Sequence, residues 1–307
     1  MSETKRGAGV ALVTGASSGM GKEFARQLAA RGYELLLVSN QAEALEQVAD
    51  ELAGESRELA AHDQVTPRPR TLCVDLAQHG AAEKVMAWCD ALHKTPDVLV
   101  NDAGMFFMEY LSPHNLPKAR SMIALHVETV TDLCVLAGDK MKTRETPGSS
   151  EGLKPVDGVD RANEPTCKNS VTKGRHPLQN YILNVSSMTA EIPAPGIAIY
   201  SATKAYLKSF GRSLSYELRP FGIGVTTVCP SAVDTNLYPL KPSQRKLLKR
   251  LGIIRTPQWL VRKSLKAMFR GRRVLSPGFT NVLVPALIKL MPPRLIDKLG
   301  MKWIYRG

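Results

Sequence analysis

A tyrosine and a lysine four residues apart are the residues of this sequence with the clearest chemical potential. If Tyr200 and Lys204 lie on one helix, their side chains share a face about one turn apart. An ammonium beside a phenol favours the phenolate and lowers the phenol pKa from about 10, which prepares it to exchange protons. Ser187, thirteen residues before the tyrosine, could hydrogen-bond the oxygen that is made or consumed. Isolated pairs at this spacing also arise by chance, so the elements around the pair decide its meaning.

A glycine-rich turn near the start of the chain is a second candidate for chemistry. The apolar strand predicted at Val10–Thr14 runs into Gly15-Ala-Ser-Ser-Gly19-Met-Gly21, and residues 22–31 have the pattern of a helix. Glycines at such a turn let the backbone approach a pyrophosphate, whose charge the following helix N-terminus favours. We therefore predict dinucleotide binding, although a lone glycine triplet can be a purely structural turn.

Strand and helix patterns alternate along most of the chain. Further strands are predicted at residues 34–39, 71–74, 97–100, 180–186 and 224–228, and helices at 42–59, 81–92, 118–141 and 200–219. This alternation, without an internal repeat, predicts an α/β fold with a Rossmann-type doubly wound parallel sheet in a single domain, residues 8–240. Residues 142–178 are rich in Pro, Gly, Ser and charged residues, which predicts a flexible surface insertion, with a partner-binding segment as the alternative.

The basic charge of the chain is concentrated after residue 240. The net charge is +13, but residues 241–307 carry 17 Lys or Arg and one acid, Asp297, so the first 240 residues carry −3. We predict a basic helical C-terminal extension that covers the substrate cleft. Its charge could form a solvated surface, attach to an anionic membrane, or dock an acidic carrier or coenzyme phosphate. The extension lacks interleaved aromatic and basic residues, so no nucleic-acid partner is expected.

Cysteine usage and hydropathy bear on the compartment. Five cysteines, Cys73, Cys89, Cys134, Cys167 and Cys229, show no paired spacing, which predicts a reducing compartment and no structural metal. The chain contains no run of roughly 18 consecutive apolar residues, and its first residues lack the apolar core of a signal peptide. We expect a cytoplasmic protein that could associate peripherally with a membrane.

The residues that end the second strand bear on the choice of cofactor. An NAD site commonly has a carboxylate at this point to bond the adenosine ribose, whereas here the sequence is Ser39-Asn40-Gln41. Nothing in these residues would repel a 2′-phosphate, so NADP is favoured over NAD, with Lys22 as a candidate phosphate partner. Asp75, which ends the third strand, could accept from the adenine amino group or could cap the next helix.

The ordered set of motifs resembles the short-chain dehydrogenase/reductase family over residues 8–240. The set comprises TGxxxGxG at 14–21, Asp75, NDAG at 101–104, and Ser187 with YxxxK at 200–204. The resemblance implies that Tyr200 is the general acid/base, that Lys204 supports it and holds the nicotinamide ribose, and that Ser187 polarises the carbonyl. It implies cofactor contacts at Thr14, Gly15, Ser17, Ser18, Gly19, Met20, Gly21, Asn40, Asp75, Leu76, Asn101, Ala103, Gly104, Tyr200, Lys204, Pro230, Val233 and Thr235.

The same resemblance implies hydride transfer between NADP(H) or NAD(H) and a carbonyl or secondary alcohol. The apolar segments of the extension favour a hydrophobic substrate, either steroid-like or of the 3-oxoacyl type, and the family resemblance suggests a homodimer or homotetramer.

Departures from the family pattern allow a second hypothesis, a catalytically impaired cofactor-binding regulator or scaffold. Its main support is His126, where the family usually has an asparagine that helps a water chain reach the active-site lysine. This histidine could keep a relay in altered form, or could simply be a packed helix residue. The other departures are Asp102 in place of the second asparagine of NNAG, and Ser231 in place of a glycine.

Overall fold

A central parallel sheet organises the molecule. The computed structural model describes residues 9–59, 67–143, 177–231, 233, 254–278, 280–292 and 294–295. Within these ranges seven strands pair in parallel in the order β3-β2-β1-β4-β5-β6-β7. They are β1 (Val10–Thr14), β2 (Glu34–Ser39), β3 (Arg70–Cys73), β4 (Val98–Asn101), β5 (Asn180–Val185), β6 (Ile223–Val228) and β7 (Val274–Leu275). The strand order reverses between β1 and β4, and this topological switch point is where open α/β sheets bind ligands.

Helices cover both faces of the sheet because alternate strand residues point to opposite sides. The helices are α1 (Gly19–Ala29), α2 (Ala42–Leu59), α3 (Ala81–Ala91), α4 (Leu116–Ile123), α5 (Thr129–Thr143), α6 (Ala198–Glu217), α7 (Pro257–Phe269) and α8 (Thr280–Lys289). On β1, Leu12 packs in the core layer formed with α3, α5 and α6, while its neighbour Val13 packs in the layer formed with α1, α2 and α7. The doubly wound parallel sheet expected from the sequence is confirmed.

The element boundaries follow the sequence pattern closely, with one informative exception. The strands β1 and β2 and the helix α2 begin and end at the predicted residues. The strands β3 and β4 are shifted by one residue at both ends, and β5 and β6 differ by one residue at one end. The helix predicted over residues 118–141 is instead two helices, α4 and α5, joined by a π turn at Ala124–Glu128. A π turn adds one residue to the helical repeat, and an apolar periodicity does not reveal it.

Two of the predicted segments lie largely outside the described residues. They are most of the proposed insertion at 142–178, and the first basic stretch of the extension at 241–250. The structure adds the short edge strand β7, which the sequence analysis does not predict. It also places the extension helix α7 against β5 and β6 in the core of the domain, with Leu260, Val261 and Leu265 buried.

Within the part of the chain that the structure describes, one continuous helical run is long and apolar enough to cross a membrane by length and composition. It spans Pro113–Thr143, and its mean hydropathy reaches 1.3 over an 18-residue window that is 44% buried. The apolar residues of the run include Met122, Leu133 and Ala137, all buried inside the domain. Core helices of globular domains share this composition, so length and hydropathy alone are weak evidence for a membrane span.

Candidate active site

A cleft of about 610 Å³ opens at the carboxyl edge of the sheet. Its walls are the segments that follow β1, β2, β3, β4, β5 and β6, so residues far apart in sequence meet there. Sixteen of the predicted site residues line it: Gly15, Ser17, Ser18, Gly19, Met20, Asn40, Asp75, Leu76, Ala103, Gly104, His126, Ser187, Tyr200, Lys204, Pro230 and Val233. Thr14, Gly21 and Asn101 are not among its lining residues, and Thr235 lies outside the described residues.

The glycine-rich turn at one wall is closely packed. Gly15 has a φ of +70°, which favours glycine, and a Cβ on Gly21 would lie 2.1 Å from the Gly15 carbonyl oxygen. Helix α1 begins at the end of this turn with no acidic residue in its first turn, and its N-cap Ser18 makes no side-chain cap hydrogen bond. The positive end of the helix is therefore available to an anion in the cleft.

Residues directly behind the cleft hold its loops in place. The Thr14 hydroxyl donates to the Val100 carbonyl oxygen at 3.3 Å and accepts from the backbone amides of Asp102 and Ala103, both at 3.2 Å. The Asn101 side chain donates to the Asn184 side-chain oxygen at 2.9 Å. Thr14 and Asn101 thus join the central strands beneath the loops instead of facing the cleft.

Ser187, Tyr200 and Lys204 come together from two adjacent elements. Ser187 follows β5 and caps a short 3-10 segment, where its Oγ accepts from the Thr189 amide at 3.2 Å. Tyr200 lies in the first turn of α6, and the Lys204 Nζ is 5.6 Å from the centre of the tyrosine ring. All three side chains are buried, with 5–6% of their surface exposed. The structure therefore brings the predicted acid/base pair and the hydroxyl into one enclosed region.

The last residue of β5 and the residue after it hold both the side chain and the backbone of Lys204. Its Nζ donates to the Val185 carbonyl oxygen at 3.0 Å, and its own carbonyl oxygen accepts from the Ser186 hydroxyl at 2.6 Å. Burial lowers the pKa of Lys204 to about 8, while the Asp102 carboxylate acts in the opposite direction. The ammonium is thus fixed in position, and it loses its proton at lower pH than an exposed lysine does.

Asp102 adds a second titratable group beside this lysine. Burial raises the pKa of Asp102 to about 7, against the opposing effects of the Lys204 ammonium and the Gly21 backbone amide. Its Oδ1 atom is buried without a hydrogen-bond partner. The aspartate that departs from the NNAG pattern therefore lies between the glycine turn and Lys204, in contact with the cleft.

His126 is fully buried in the π turn, with both ring nitrogens in hydrogen bonds. Nε2 lies 3.1 Å from the Met105 amide nitrogen, and Nδ1 lies 3.0 Å from the Thr203 hydroxyl oxygen. Burial, with a smaller contribution from Lys204, lowers the pKa of His126 well below its usual value. The ring also stands edge-on to Tyr200, with 5.9 Å between ring centres.

The adenosine end of the cleft is polar and uncharged apart from Asp75. Ser17 donates to the Gln41 side-chain oxygen at 3.2 Å and accepts from the Ser39 hydroxyl at 2.9 Å. Lys22, the candidate phosphate partner, instead forms an ion pair with Glu51 on α2. Among the described residues that line the cleft, Lys204 is the one Lys or Arg.

The carboxylate of Asp75 bonds to its own loop. It accepts from the Ala77 amide and from the Gln78 side chain, both at 3.0 Å, and it also lines the cleft. Asp75 does not cap the next helix, α3, because the N-cap of that helix is Gly80; its carboxylate instead bonds within the turn that follows β3. The cleft position leaves room for the other predicted role, accepting from the adenine amino group.

Sequence reasoning missed several lining residues. They are Ser39, Gln41, Val74, Ala77, Met105, Ser121, Leu125, Val185, Ser186 and Ser231. Most of them lie directly beside the carboxyl ends of the predicted strands, where such sheets bind ligands, so including every residue next to a strand end would have found them. Ser121 and Leu125 are different, because they belong to the long helical run and no local signal marks them.

Comparison with known proteins identifies relatives over nearly the whole chain. The family model described as short chain dehydrogenase matches residues 9–149 and 177–246. A very-long-chain 3-oxoacyl-CoA reductase from Macaca fascicularis is 27% identical over 295 residues, which cover 95% of this chain and 78% of that protein.

Solved structures of similar fold include two with a bound nicotinamide cofactor. A short-chain dehydrogenase from Sphingobium yanoikuyae in complex with NADPH has a TM-score of 0.65 and 24% identity, covering 92% of this chain and 95% of that one. A 3-ketoacyl-(acyl-carrier-protein) reductase from Brucella melitensis complexed with NADH has a TM-score of 0.64 and 21% identity, covering 88% and 97%. At these identities the likeness demonstrates a shared fold.

Proposed function

This chain belongs to the short-chain dehydrogenase/reductase family of oxidoreductases, and from that premise we propose that it reduces the 3-oxo group of a hydrophobic acyl thioester, with NADPH preferred over NADH. The observation that carries the proposal is the meeting of Ser187, Tyr200 and Lys204 in one buried region of the cleft. A regulator or scaffold without turnover would not need this arrangement.

The roles of the three residues follow from the charge that develops during reduction. A bound nicotinamide cofactor supplies the hydride that adds to the carbonyl carbon. Negative charge then grows on the carbonyl oxygen, which Tyr200 protonates while the Ser187 hydroxyl donates a hydrogen bond to it. The Lys204 ammonium favours the tyrosinate left behind, and a proton from solvent restores the phenol. The reverse sequence oxidises a secondary alcohol.

The cleft has the features that a dinucleotide needs. The turn from Gly15 to Gly21 and the start of α1 would hold the pyrophosphate, because the helix end has no side-chain cap and no acidic residue in its first turn. Asn40 would meet the adenosine ribose, and Asp75 with Leu76 the adenine. The residues that end β2, Ser39-Asn40-Gln41, include no carboxylate that would repel a 2′-phosphate, which favours NADP over NAD. In the matching fold, the segment from Pro230 to Val233 and Thr235 would meet the carboxamide.

The substrate side of the cleft is apolar. Phe106 packs edge-on against Tyr200 with 5.1 Å between ring centres, and Met105 and Leu125 also line the wall. On the same loop, Met108 and Leu111 are 46% and 51% exposed. These residues suit a long acyl chain, and the name of the Macaca relative supports a 3-oxoacyl thioester over a steroid ketone.

The surroundings of the domain support two further proposals about partners. Helix α8 exposes Leu283 and Leu287, one turn apart, and Leu290 directly after the helix is also exposed. Residues 254–295 contain nine Lys or Arg and no acid. We propose that this part of the extension associates peripherally with an anionic membrane surface, with the rest of the protein in the cytoplasm. Exposed Val135 on α5 and Phe221 after α6 support self-association into a homodimer or homotetramer.

A parallel substrate screen tests this function. Purified full-length protein is incubated with NADPH or NADH and with long-chain 3-oxoacyl-CoA, short-chain 3-oxoacyl-CoA or a steroid ketone, and oxidation of the cofactor is followed by absorbance. We expect the fastest turnover with the long-chain thioester and NADPH. Faster turnover of the steroid ketone would overturn the substrate class, and cofactor binding without any turnover would favour the regulator hypothesis.

A further inference from the structure

We propose that His126 is a positioning residue, whose neutral ring fixes the loop after β4 to the helix that carries Tyr200 and Lys204. It thereby serves the reaction without carrying protons itself. The inference rests on the proposed function, because it concerns the geometry of the same acid/base pair. It replaces the expectation that a histidine at this position keeps a proton relay in altered form.

The hydrogen bonds around the ring determine which nitrogen carries the proton. A backbone amide can only donate, so the Met105 N–H at 3.1 Å requires Nε2 to be the acceptor. The proton of a neutral ring then lies on Nδ1, which donates to the Thr203 hydroxyl oxygen at 3.0 Å. That hydroxyl in turn donates to the Tyr200 carbonyl oxygen at 2.9 Å. The donors run in one direction from the loop to the catalytic helix.

This chain of hydrogen bonds leaves the ring no free site for proton transfer. To accept a proton, Nε2 would have to give up the Met105 amide and leave it unsatisfied in the interior. Burial and the Lys204 ammonium on the facing helix also oppose protonation of the ring. The Asp102 carboxylate is not among the hydrogen-bond partners of the two ring nitrogens. The Tyr200 ring stands edge-on to the imidazole, with 5.9 Å between ring centres.

The space around His126 is as closely defined as its hydrogen bonds. A Cβ on Gly104 would lie 3.2 Å from the His126 Nε2 and 3.8 Å from the Lys204 Nζ, so the loop fits between the imidazole and the ammonium. The π turn that presents the ring is closed by the Thr129 amide bonding to the Ala124 carbonyl oxygen. The Thr129 hydroxyl, which donates to the Leu76 carbonyl oxygen at 2.7 Å, fastens that turn to the loop after β3.

Side chains with different hydrogen-bonding ability separate the two roles of His126. A Gln or Asn amide can accept from Met105 and donate to Thr203 but cannot titrate, whereas Leu can do neither. We expect His126→Leu to lower kcat by more than about tenfold. The variants His126→Gln and His126→Asn should have a kcat much closer to that of wild type, and the affinity for NADPH should change little in all three. Thr203→Val should reproduce the effect of His126→Leu, and the double variant should be no worse than either single variant.

The pH dependence and an NMR measurement decide the proposal even if a variant fails to fold. In wild-type protein, ¹⁵N spectra of the histidine ring should show the neutral Nδ1–H tautomer for His126 throughout pH 5.5–8.5, about one unit or more on either side of its ordinary pKa. Titration of His126 in this range, or a limb of the kcat profile that disappears in the Gln variant, would overturn the proposal. Full activity of Tyr200→Phe would refute the proposed function while leaving the NMR result intact.

Discussion

Replacing Gly21 by alanine tests whether the glycine turn is the anion cradle of this fold. A Cβ at this position would lie 2.1 Å from the Gly15 carbonyl oxygen and 2.6 Å from its carbonyl carbon. Real Cβ atoms do not approach other atoms within 3.0 Å, and both obstructing atoms belong to the backbone. The turn must therefore move by about 1 Å to accept the methyl group.

The size of the effect follows from this displacement. Overpacking of a closed site costs about 1–3 kcal/mol, and we expect that loss in the free energy of unfolding. A shift of about 1 Å also takes backbone amides out of hydrogen-bond range of a phosphate. Each hydrogen bond to a charged group contributes about 1.5–3 kcal/mol, so the Kd for NADPH should rise at least about tenfold.

Gly54 provides a matched control for the same substitution. It lies exposed inside α2, and a Cβ there would meet nothing within 4 Å. Because alanine is the better helix former, Gly54→Ala should stabilise the protein by about 1 kcal/mol and leave the affinity for NADPH unchanged.

The measurements are urea denaturation of the full-length protein and titration of NADPH by its fluorescence. If Gly21→Ala binds NADPH as tightly as wild type and is equally stable, the reasoning from the Gly15–Gly21 contact is wrong. A loss of stability at unchanged affinity would show that the glycine is needed for packing alone and that the cofactor does not depend on this turn.

Two further predictions concern the lysine and the extension. Burial lowers the pKa of Lys204 to about 8, so kcat/KM for NADPH should be level below that pH and fall above it as Lys204 loses its proton. Asp102→Asn removes the carboxylate that raises the pKa of Lys204, so in this variant the fall should begin at lower pH. A pH–rate profile in which Asp102→Asn leaves the limb in place would contradict the assignment. In a flotation assay at low salt, wild-type protein should be recovered with vesicles of anionic phospholipid, and a smaller fraction of the Leu287→Asp variant should be recovered. Equal recovery of the two proteins, or recovery of neither, would count against attachment through α8.

Most of the fold could be predicted because its signals are local. The apolar residues of β1 and β2 and the long pattern of α2 stand between clear turns, so their limits agree with the structure. The π turn at Ala124–Glu128 and the short strand β7 have no such signal. The π turn contains the buried His126, whose partners are distant in sequence, and the two residues of β7 form a strand by pairing with the edge of β6.

The candidate site was predictable wherever a residue type and a strand end coincide. Ser187 and the glycine turn belong to this group, whereas Tyr200 was predictable from its helical spacing to Lys204, and all of them meet at the cleft. What the sequence could not supply is how the residues pair. Lys22 pairs with Glu51 and not with the ribose end of the cleft, and His126 bonds Met105 and Thr203. Each of these pairs joins residues more than 20 positions apart, so it depends on tertiary packing.

The central claim is that Tyr200 protonates the substrate oxygen, and Tyr200→Phe tests it most directly. The phenylalanine ring keeps the edge-on packing against Phe106 and removes only the hydroxyl. With saturating NADPH and a long-chain 3-oxoacyl-CoA, kcat should fall at least about 100-fold, while the Kd for NADPH stays within about threefold of wild type. Turnover by Tyr200→Phe at a rate close to that of wild type would contradict the account.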